Sequence, residues 1–316
     1  MRNIILDCDT GEDDALAILY ALAKSIPLKY IVTSYGNTSI DNSTKNSSDI
    51  LFLARNNKVK VIKGSSNPLF KHPIEHEVTA GDFVGKNGIC NTKLSKCKYN
   101  NIIITGDENL SKCLLNVIKK ESPIDYIITG PCTNFAKLFN YAGPSLKKYV
   151  KNLYIMGGAL YSAGNSGPID PKTKKQLAEF NFYCDPEAVG IVLKSNIPIK
   201  LVTWDITHKA TLSYNTISSL RSHTKVGKFV LRLMKNFFKY YGLNHNRNFE
   251  FNDPLTIAAY LGVGKYINKK ISINKIKKGY GKVSLSKTGS NIDYFTLKKS
   301  GINLIIEDIL ESLTLI

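Results

Sequence analysis

An apolar stretch, Ile4-Ile5-Leu6, runs directly into Asp7-Cys8-Asp9-Thr10-Gly11-Glu12-Asp13-Asp14, and the residues that follow, Leu16 to Ala23, have helical spacing. Aspartates gathered at the end of one buried strand repel and raise one another's proton affinity unless a cation or a shared proton compensates them. A hard divalent ion with oxygen ligands at roughly 2.3 to 2.6 Å would do so, and calcium tolerates the irregular geometry of a loop. Asp13 and Asp14 have a plainer role open to them, stabilising a helix N-terminus through its dipole. That role leaves Asp7 and Asp9 unexplained. A bound ion lowers the pKa of the water it holds and positions that water for attack, and a neighbouring carboxylate can take the proton. Two carboxylates flanking an anomeric carbon are also what glycosidic cleavage through an oxocarbenium-like transition state requires.

The elements that must position these groups are legible. Asn3 to Leu6, Leu28 to Thr33, Val59 to Lys63, Asp125 to Thr129, Asn152 to Met156 and Ile199 to Thr203 are short β-branched runs, each followed by a helix-like amphipathic stretch. Such alternation predicts an α/β fold with an open, mostly parallel central sheet flanked by helices. Ligands of such sheets bind beyond the carboxyl ends of the strands. Asp185-Pro186-Glu187 places an acceptor at a helix N-cap and proline at the first helical position, and Asn252-Asp253-Pro254 repeats the pattern. Ser162 to Gln176, rich in Gly, Pro, Ser and Lys, reads as a long mobile loop. From about Lys269 onward, lysine-rich alternating strands and a final helix are expected on the same single domain, residues 1–316.

The chain has 316 residues, 43% of them apolar, enough for a large core. It begins on a strand-like segment without a charged-then-apolar leader and contains no apolar run long enough to cross a bilayer, so a cytoplasmic protein is expected. Cys8, Cys90, Cys97, Cys113, Cys132 and Cys184 form no Cys-x-x-Cys pair or Cys/His cluster, which argues against a zinc site and a disulfide framework. The formal charge of +18 would suit a nucleic-acid binder, but its lysines are spread along the chain and arginines are few. The charge reads as a lysine-rich solvated surface.

Asp7-x-Asp9-x-x-x-Asp13-Asp14 after an apolar strand resembles the N-terminal signature of the inosine-uridine-preferring nucleoside hydrolase family. Gly36-Asn37, Thr129-Gly130-Pro131-x-Thr133-Asn134, Met156-Gly157-Gly158, Gly164-Asn165, the run from Ala178 to Ala188 and Asp253-Pro254-Leu255 follow in the family's order. The resemblance implies a calcium-dependent hydrolase of ribonucleosides and a homodimer or homotetramer. Calcium would be held by Asp9, Asp14, the carbonyl of Thr129 and Asp253, with Asp9 also the general base. Asp13, Asn37, Asn165, Glu179 and Asn181 would grip the ribose, with Met156 lining its pocket. Glu179 and Asn181 are expected to alternate along an extended stretch and so face one side. The segment between Asn165 and Glu179 is longer than in the family, so its extra residues, around Pro168 to Lys175, shift the role of Asn165 to a neighbour or form a lid over the sugar. Singly, Asp253 is also explicable as an N-cap and Thr129 as an ordinary strand end.

The pattern breaks at the leaving group. Relatives that cleave purines often carry a histidine before the last metal-binding aspartate, where this chain has Asn252, an amide that hydrogen-bonds but is no acid near neutral pH. Phe83-Val84-Gly85-Lys86-Asn87-Gly88 also lacks a family histidine. Tyr240, Tyr241 and His245 are the candidate donors to the base, and Phe83 or Phe251 could stack on it. Trp204, the only tryptophan, is expected in the core. Two other readings stand beside this one. A non-catalytic nucleoside sensor would keep the calcium site and lose leaving-group activation. A haloacid-dehalogenase-like phosphatase would share Asp7-x-Asp9, but its motif wants Thr or Val where Gly11 stands and has no use for Asp13-Asp14.

Overall fold

The computed structural model describes residues 1–70, 84–241 and 247–315, the side chains of Tyr241 and Leu315 excepted. In chain order the strands are β1 (Asn3–Cys8), β2 (Leu28–Thr33), β3 (Lys60–Lys63), β4 (Ile102–Ile103), β5 (Ile124–Ile128), β6 (Val150–Met156), β7 (Ser166–Ile169), β8 (Gln176–Ala178), β9 (Ile199–Val202), β10 (Thr211–Leu212), β11 (Phe249–Glu250), β12 (Lys265–Ile273), β13 (Val283–Leu285) and β14 (Ser290–Thr296). Ten of them form one sheet in the order β13-β12-β14-β9-β6-β5-β1-β2-β3-β4. Every pairing from β14 to β4 is parallel, and β12 and β13 add an antiparallel edge. All six strand segments expected from the sequence are present, with ends displaced by at most two residues and Leu28–Thr33 not displaced at all.

Side chains of β1 alternate between two cores, as the two-residue period of a strand requires. Ile4, Leu6 and Cys8 enter the layer of the helices Glu12–Ala23, Asn252–Tyr260 and Lys299–Leu315. Ile5 enters the opposite layer, against Leu114 of helix Asp107–Glu121, Phe135 of helix Thr133–Ala142 and Val189 of helix Pro186–Leu193. The sheet therefore separates two apolar layers, which accounts for the continuous apolar runs in its central strands. From β1 the chain proceeds to β2, β3 and β4 on one side, while β5, β6 and β9 build out the other. The strand order reverses between β1 and β5, the place in such sheets beyond whose carboxyl ends ligands bind.

The expected loop from Ser162 to Gln176 is instead a hairpin, with β7 antiparallel to β8. The turn is made by Asp170, whose Oδ1 accepts from the amides of Lys172 and Thr173, both at 2.8 Å, while Lys174 adopts a left-handed φ of 58°. The N-cap expectation at Asp185 is met, since its Oδ1 accepts from the Ala188 amide at 3.0 Å. The one at Asp253 is not. Helix Asn252–Tyr260 starts two residues earlier, with Phe251 at the cap position, so Asp253 sits inside the first turn. All six cysteines are free thiols, and no described helix is long and apolar enough to cross a membrane.

Candidate active site

The candidate site is built from residues at or just past the carboxyl ends of β1, β2, β5 and β6. Asp7, still within β1, shares the sheet face of Ile5 and points away from it: Tyr126 Oη donates to Oδ2 and Asn134 Nδ2 to Oδ1, both at 2.9 Å. Burial pushes its pKa up to about 7 against those two hydrogen bonds. Asp7 thus ties β1 to β5 and to the following helix, and is no part of the carboxylate cluster.

Asp9, one residue past β1, is fully buried. The Asn37 amide donates to its Oδ2 at 2.6 Å and Asn37 Nδ2 to its Oδ1 at 3.3 Å. Gly36 makes that approach possible: at its φ of 149° a Cβ would lie 1.9 Å from Asp9 Oδ2. Burial, and then the charge of Asp14, hold the Asp9 carboxyl well above the ordinary carboxylate range.

Helix Glu12–Ala23 packs along helix Asn252–Tyr260, and their first turns meet. One carboxylate oxygen from each of Asp13, Asp14 and Asp253 lies within 4.8 Å of the others. Asp14 is anchored by the Gly11 amide on Oδ2 at 2.9 Å and by Thr129 Oγ1 on Oδ1 at 2.7 Å. Asp9 lies outside that trio and shares a hydrogen bond with Asp14. Burial and the charges of Asp13, Asp14 and Asp9 push Asp253 far up, and burial with the Asp14 charge takes Asp13 to about 7. Among the described residues, none of these four is paired with lysine or arginine. Buried carboxylates without a cationic side chain, offering oxygen alone, fit a hard divalent ion.

Opposite this cluster, Asn181 Nδ2 donates to the Thr129 carbonyl at 2.8 Å and lies 3.3 Å from both the carbonyl and Sδ of buried Met156. Glu179 and Asn181 do not share an extended stretch as expected. Glu179 caps the short helix Phe180–Cys184, its Oε1 accepting from the Asn181 amide at 2.9 Å and its Oε2 from the Gly158 amide at 2.7 Å and the Phe182 amide at 3.2 Å. The cap brings both residues to one place by a different route. Burial raises the Glu179 carboxyl to about 7, opposed by those amides. Asn165 Oδ1 accepts from the Phe180 amide at 2.9 Å, so Asn165 stands beside Glu179 despite the longer hairpin.

The profile described as inosine-uridine preferring nucleoside hydrolase matches residues 4–299. The chain belongs to that family. It is an N-glycosyl hydrolase of the nucleoside hydrolase kind. The pyrimidine-specific ribonucleoside hydrolase RihA of Salmonella arizonae is 33% identical over 259 residues, 81% of this chain and 78% of the relative. RihA of Escherichia coli O81 is 32% identical over the same shares. Among solved structures, the purine-preferring ribonucleoside hydrolase from Gardnerella vaginalis shares the fold with a TM-score of 0.83 at 24% identity, covering 100% of both chains. A plant nucleoside hydrolase, the PpNRh1 enzyme, does so with a TM-score of 0.83 at 24% identity, over 100% of this chain and 99% of that one.

On the side of this nucleoside hydrolase where the expected base-facing residues lie, Asn252 hydrogen-bonds to Asp13 and to Glu250, and its Oδ1 is buried without a partner. Two acids that sequence reasoning did not single out join it. Glu12 has a buried, unpartnered Oε2, and burial and then the Asp13 charge raise its carboxyl well above the ordinary range. Glu250, raised by burial, lies 3.8 Å from Arg247 Nε. The only signal was position, Glu12 within the acidic run and Glu250 just before Asn252. Phe251 does not stack on a base: it is fully buried in the apolar layer, edge-on to Phe249 with ring centroids 5.3 Å apart. Trp204 is not core either, being half-buried at the head of a short helix and stacked on His208 at 5.6 Å. Tyr240, 40% exposed, accepts from Asn91 Nδ2. Phe83, His245 and the Tyr241 side chain lie outside the described residues.

Proposed function

We propose that this hydrolase cuts ribonucleosides into ribose and a free base using calcium held by Asp9, Asp14, Asp253 and the Thr129 carbonyl, with Asp9 as general base. The observation carrying this reading is the buried carboxylate cluster at the reversal point of the sheet, with no cationic side chain beside it among the described residues. Calcium, when bound, would supply the positive charge that makes water a nucleophile at neutral pH and orients the sugar diol. Asp9 takes the proton, its carboxylate aimed by the two Asn37 donors. Asp13, Asn37, Asn165, Glu179 and Asn181 bind ribose hydroxyls, and Met156 packs against the ring. A site built around hydroxyls rejects sugars that lack them. Negative charge fixed around the sugar favours the positive charge that develops at its anomeric carbon.

The departing base receives its proton from the segment of Tyr240, Tyr241 and His245, since Asn252 cannot supply one. The Tyr240 hydroxyl accepts from Asn91 and keeps its own proton to donate. The chain acts as one domain, which the reach of the central sheet from residue 3 to residue 296 supports. A homodimer or homotetramer is the proposed assembly and the cytoplasm the proposed location.

Ribose release from uridine, cytidine, inosine, adenosine and guanosine tests this, with metal stripped and then calcium restored. Uridine and cytidine come first, because the relatives at 32 to 33% identity are pyrimidine-specific. Calcium-dependent release that vanishes in Asp9→Ala is the expected result. Calcium and ribose binding without cleavage of any nucleoside would leave a nucleoside sensor in its place.

A further inference from the structure

Between Asp205 and Glu250 the sequence contains no acidic residue but eight lysines and arginines. Helix Lys225–Tyr241 sorts them. Val226, Phe229, Val230, Leu233, Met234 and Phe237 are buried in the apolar layer. Lys228, Arg232, Lys235 and Lys239, spaced by four, three and four residues, fall on one outer face. Eleven residues of helix put the first and last about 16 Å apart. Like charges at that spacing repel, and among the described residues none of the four makes an ion pair.

These four side chains line a cavity of about 890 Å³ together with Arg221, Ser222 and an apolar rim that includes Tyr214, Leu220 and Phe238. Its volume is in the range of small-molecule sites, roughly 300 to 1,000 Å³. The Tyr214 ring, 40% exposed, stands edge-on to Phe238 with centroids 5.3 Å apart, a rigid support for a flat ring. Arg221 spends one guanidinium nitrogen on the carbonyls of Ser218 and Leu220, which fixes its direction and leaves its other donors available. Among the described residues, none of those proposed for the reaction lines this cavity.

We propose that this cavity is a second binding site, for a nucleoside polyphosphate. The phosphate chain lies along Lys228, Arg232, Lys235 and Lys239, and the ring rests on Tyr214. A singly charged anion would leave most of the repulsion in place, whereas a chain of phosphates answers several cations along the helix. The aromatic pair adds a reason to hold the nucleoside end as well.

Calorimetry of the full chain with ATP, adenosine, tripolyphosphate and a short single-stranded oligouridylate tests the proposal, in the presence of excess ribose to occupy the reaction site. ATP is expected to bind one to one, at least tenfold more tightly than adenosine, tripolyphosphate or the RNA, and less tightly as salt rises. Arg232→Gln with Lys235→Gln should weaken ATP at least tenfold while leaving melting temperature and nucleoside hydrolysis unchanged. Tyr214→Ala should weaken ATP but not tripolyphosphate. Three results would overturn it: no ATP binding below the millimolar range, binding indifferent to the double substitution, or tripolyphosphate or RNA binding as tightly as ATP.

Discussion

Asn37 and Asp9 are joined twice, the backbone amide of Asn37 to Oδ2 at 2.6 Å and its side-chain amide to Oδ1 at 3.3 Å. The carboxylate proposed as base is thus aimed from the loop after β2, and the glycine before Asn37 leaves no room for a side chain. Asp9→Ala should lower kcat by about 10²- to 10⁴-fold, the usual weight of a positioned base. Gly36→Ala removes no reacting group, yet its Cβ would collide with Asp9 Oδ2. It should approach the same loss of kcat with a folded protein by circular dichroism, and near-normal turnover would show that the aim of Asp9 does not matter.

Calcium should raise the melting temperature of metal-stripped protein, by about 2.7 kcal/mol of stability at a hundredfold excess over Kd. Asp253→Asn removes a charged oxygen from the buried trio and should abolish most of that gain. A calcium-dependent gain that survives in Asp253→Asn would place the ion elsewhere.

The carboxyls of Asp7 and Asp13, raised from 3.8, and of Glu179, raised from 4.5, all reach about 7 in the fold. A raised carboxyl pKa means the folded chain binds the proton more tightly than the unfolded one. The stability it contributes is whole below the ordinary range and is lost as pH climbs through about 7. Metal-free protein should therefore melt several degrees higher near pH 5 than near pH 8. With saturating calcium the Asp13 share of that slope should shrink, because the ion takes the place of the proton. A flat pH profile in chelator would contradict the burial these groups show.

Asp205 is a structural acid that sequence reasoning passed over. It accepts from the amides of Leu160 at 3.0 Å, Tyr161 at 2.9 Å and Ser162 at 2.6 Å, and from Thr203 Oγ1 at 2.9 Å. Burial alone would raise its carboxyl, but the three amides hold it below the ordinary range. It fixes the start of the segment that carries Asn165. Asp205→Ala orphans those donors and should cost about 2 to 4 kcal/mol, with KM for the nucleoside rising more than kcat falls. Urea denaturation measures the first and initial rates the second.

Charged-residue substitution at Asn252 gives the last test. Asn252→Asp keeps the shape and places another carboxylate against Asp13 and Glu250, two acids whose charges already act on Glu12. An uncompensated buried charge costs about 3 to 5 kcal/mol, less whatever protonation recovers. A destabilisation larger at pH 8 than at pH 5 is expected, and equal stability at both would mean that the four groups are not mutually close.

What the sequence determined by itself was local. An apolar run ending in clustered aspartates, a proline behind Asp185 and the alternation of β-branched runs with amphipathic stretches are each written in adjacent residues, so the parallel sheet and the acidic strand end were legible. Tertiary structure decided which acids meet. The two-residue period of β1 turns Asp7 to the far layer, where its partner Asn134 is 127 residues away in sequence. Packing between the first and second-to-last long helices of the same layer carries Asp253 to Asp13 and Asp14. Glu179 became a helix cap because three backbone amides needed an acceptor, which an extended reading of the chain does not contain. Phe251 went to the core and Glu12 came to face Glu250 for one reason: side-chain direction at the ends of helices is set by what the helix packs against, and that partner lies far along the chain.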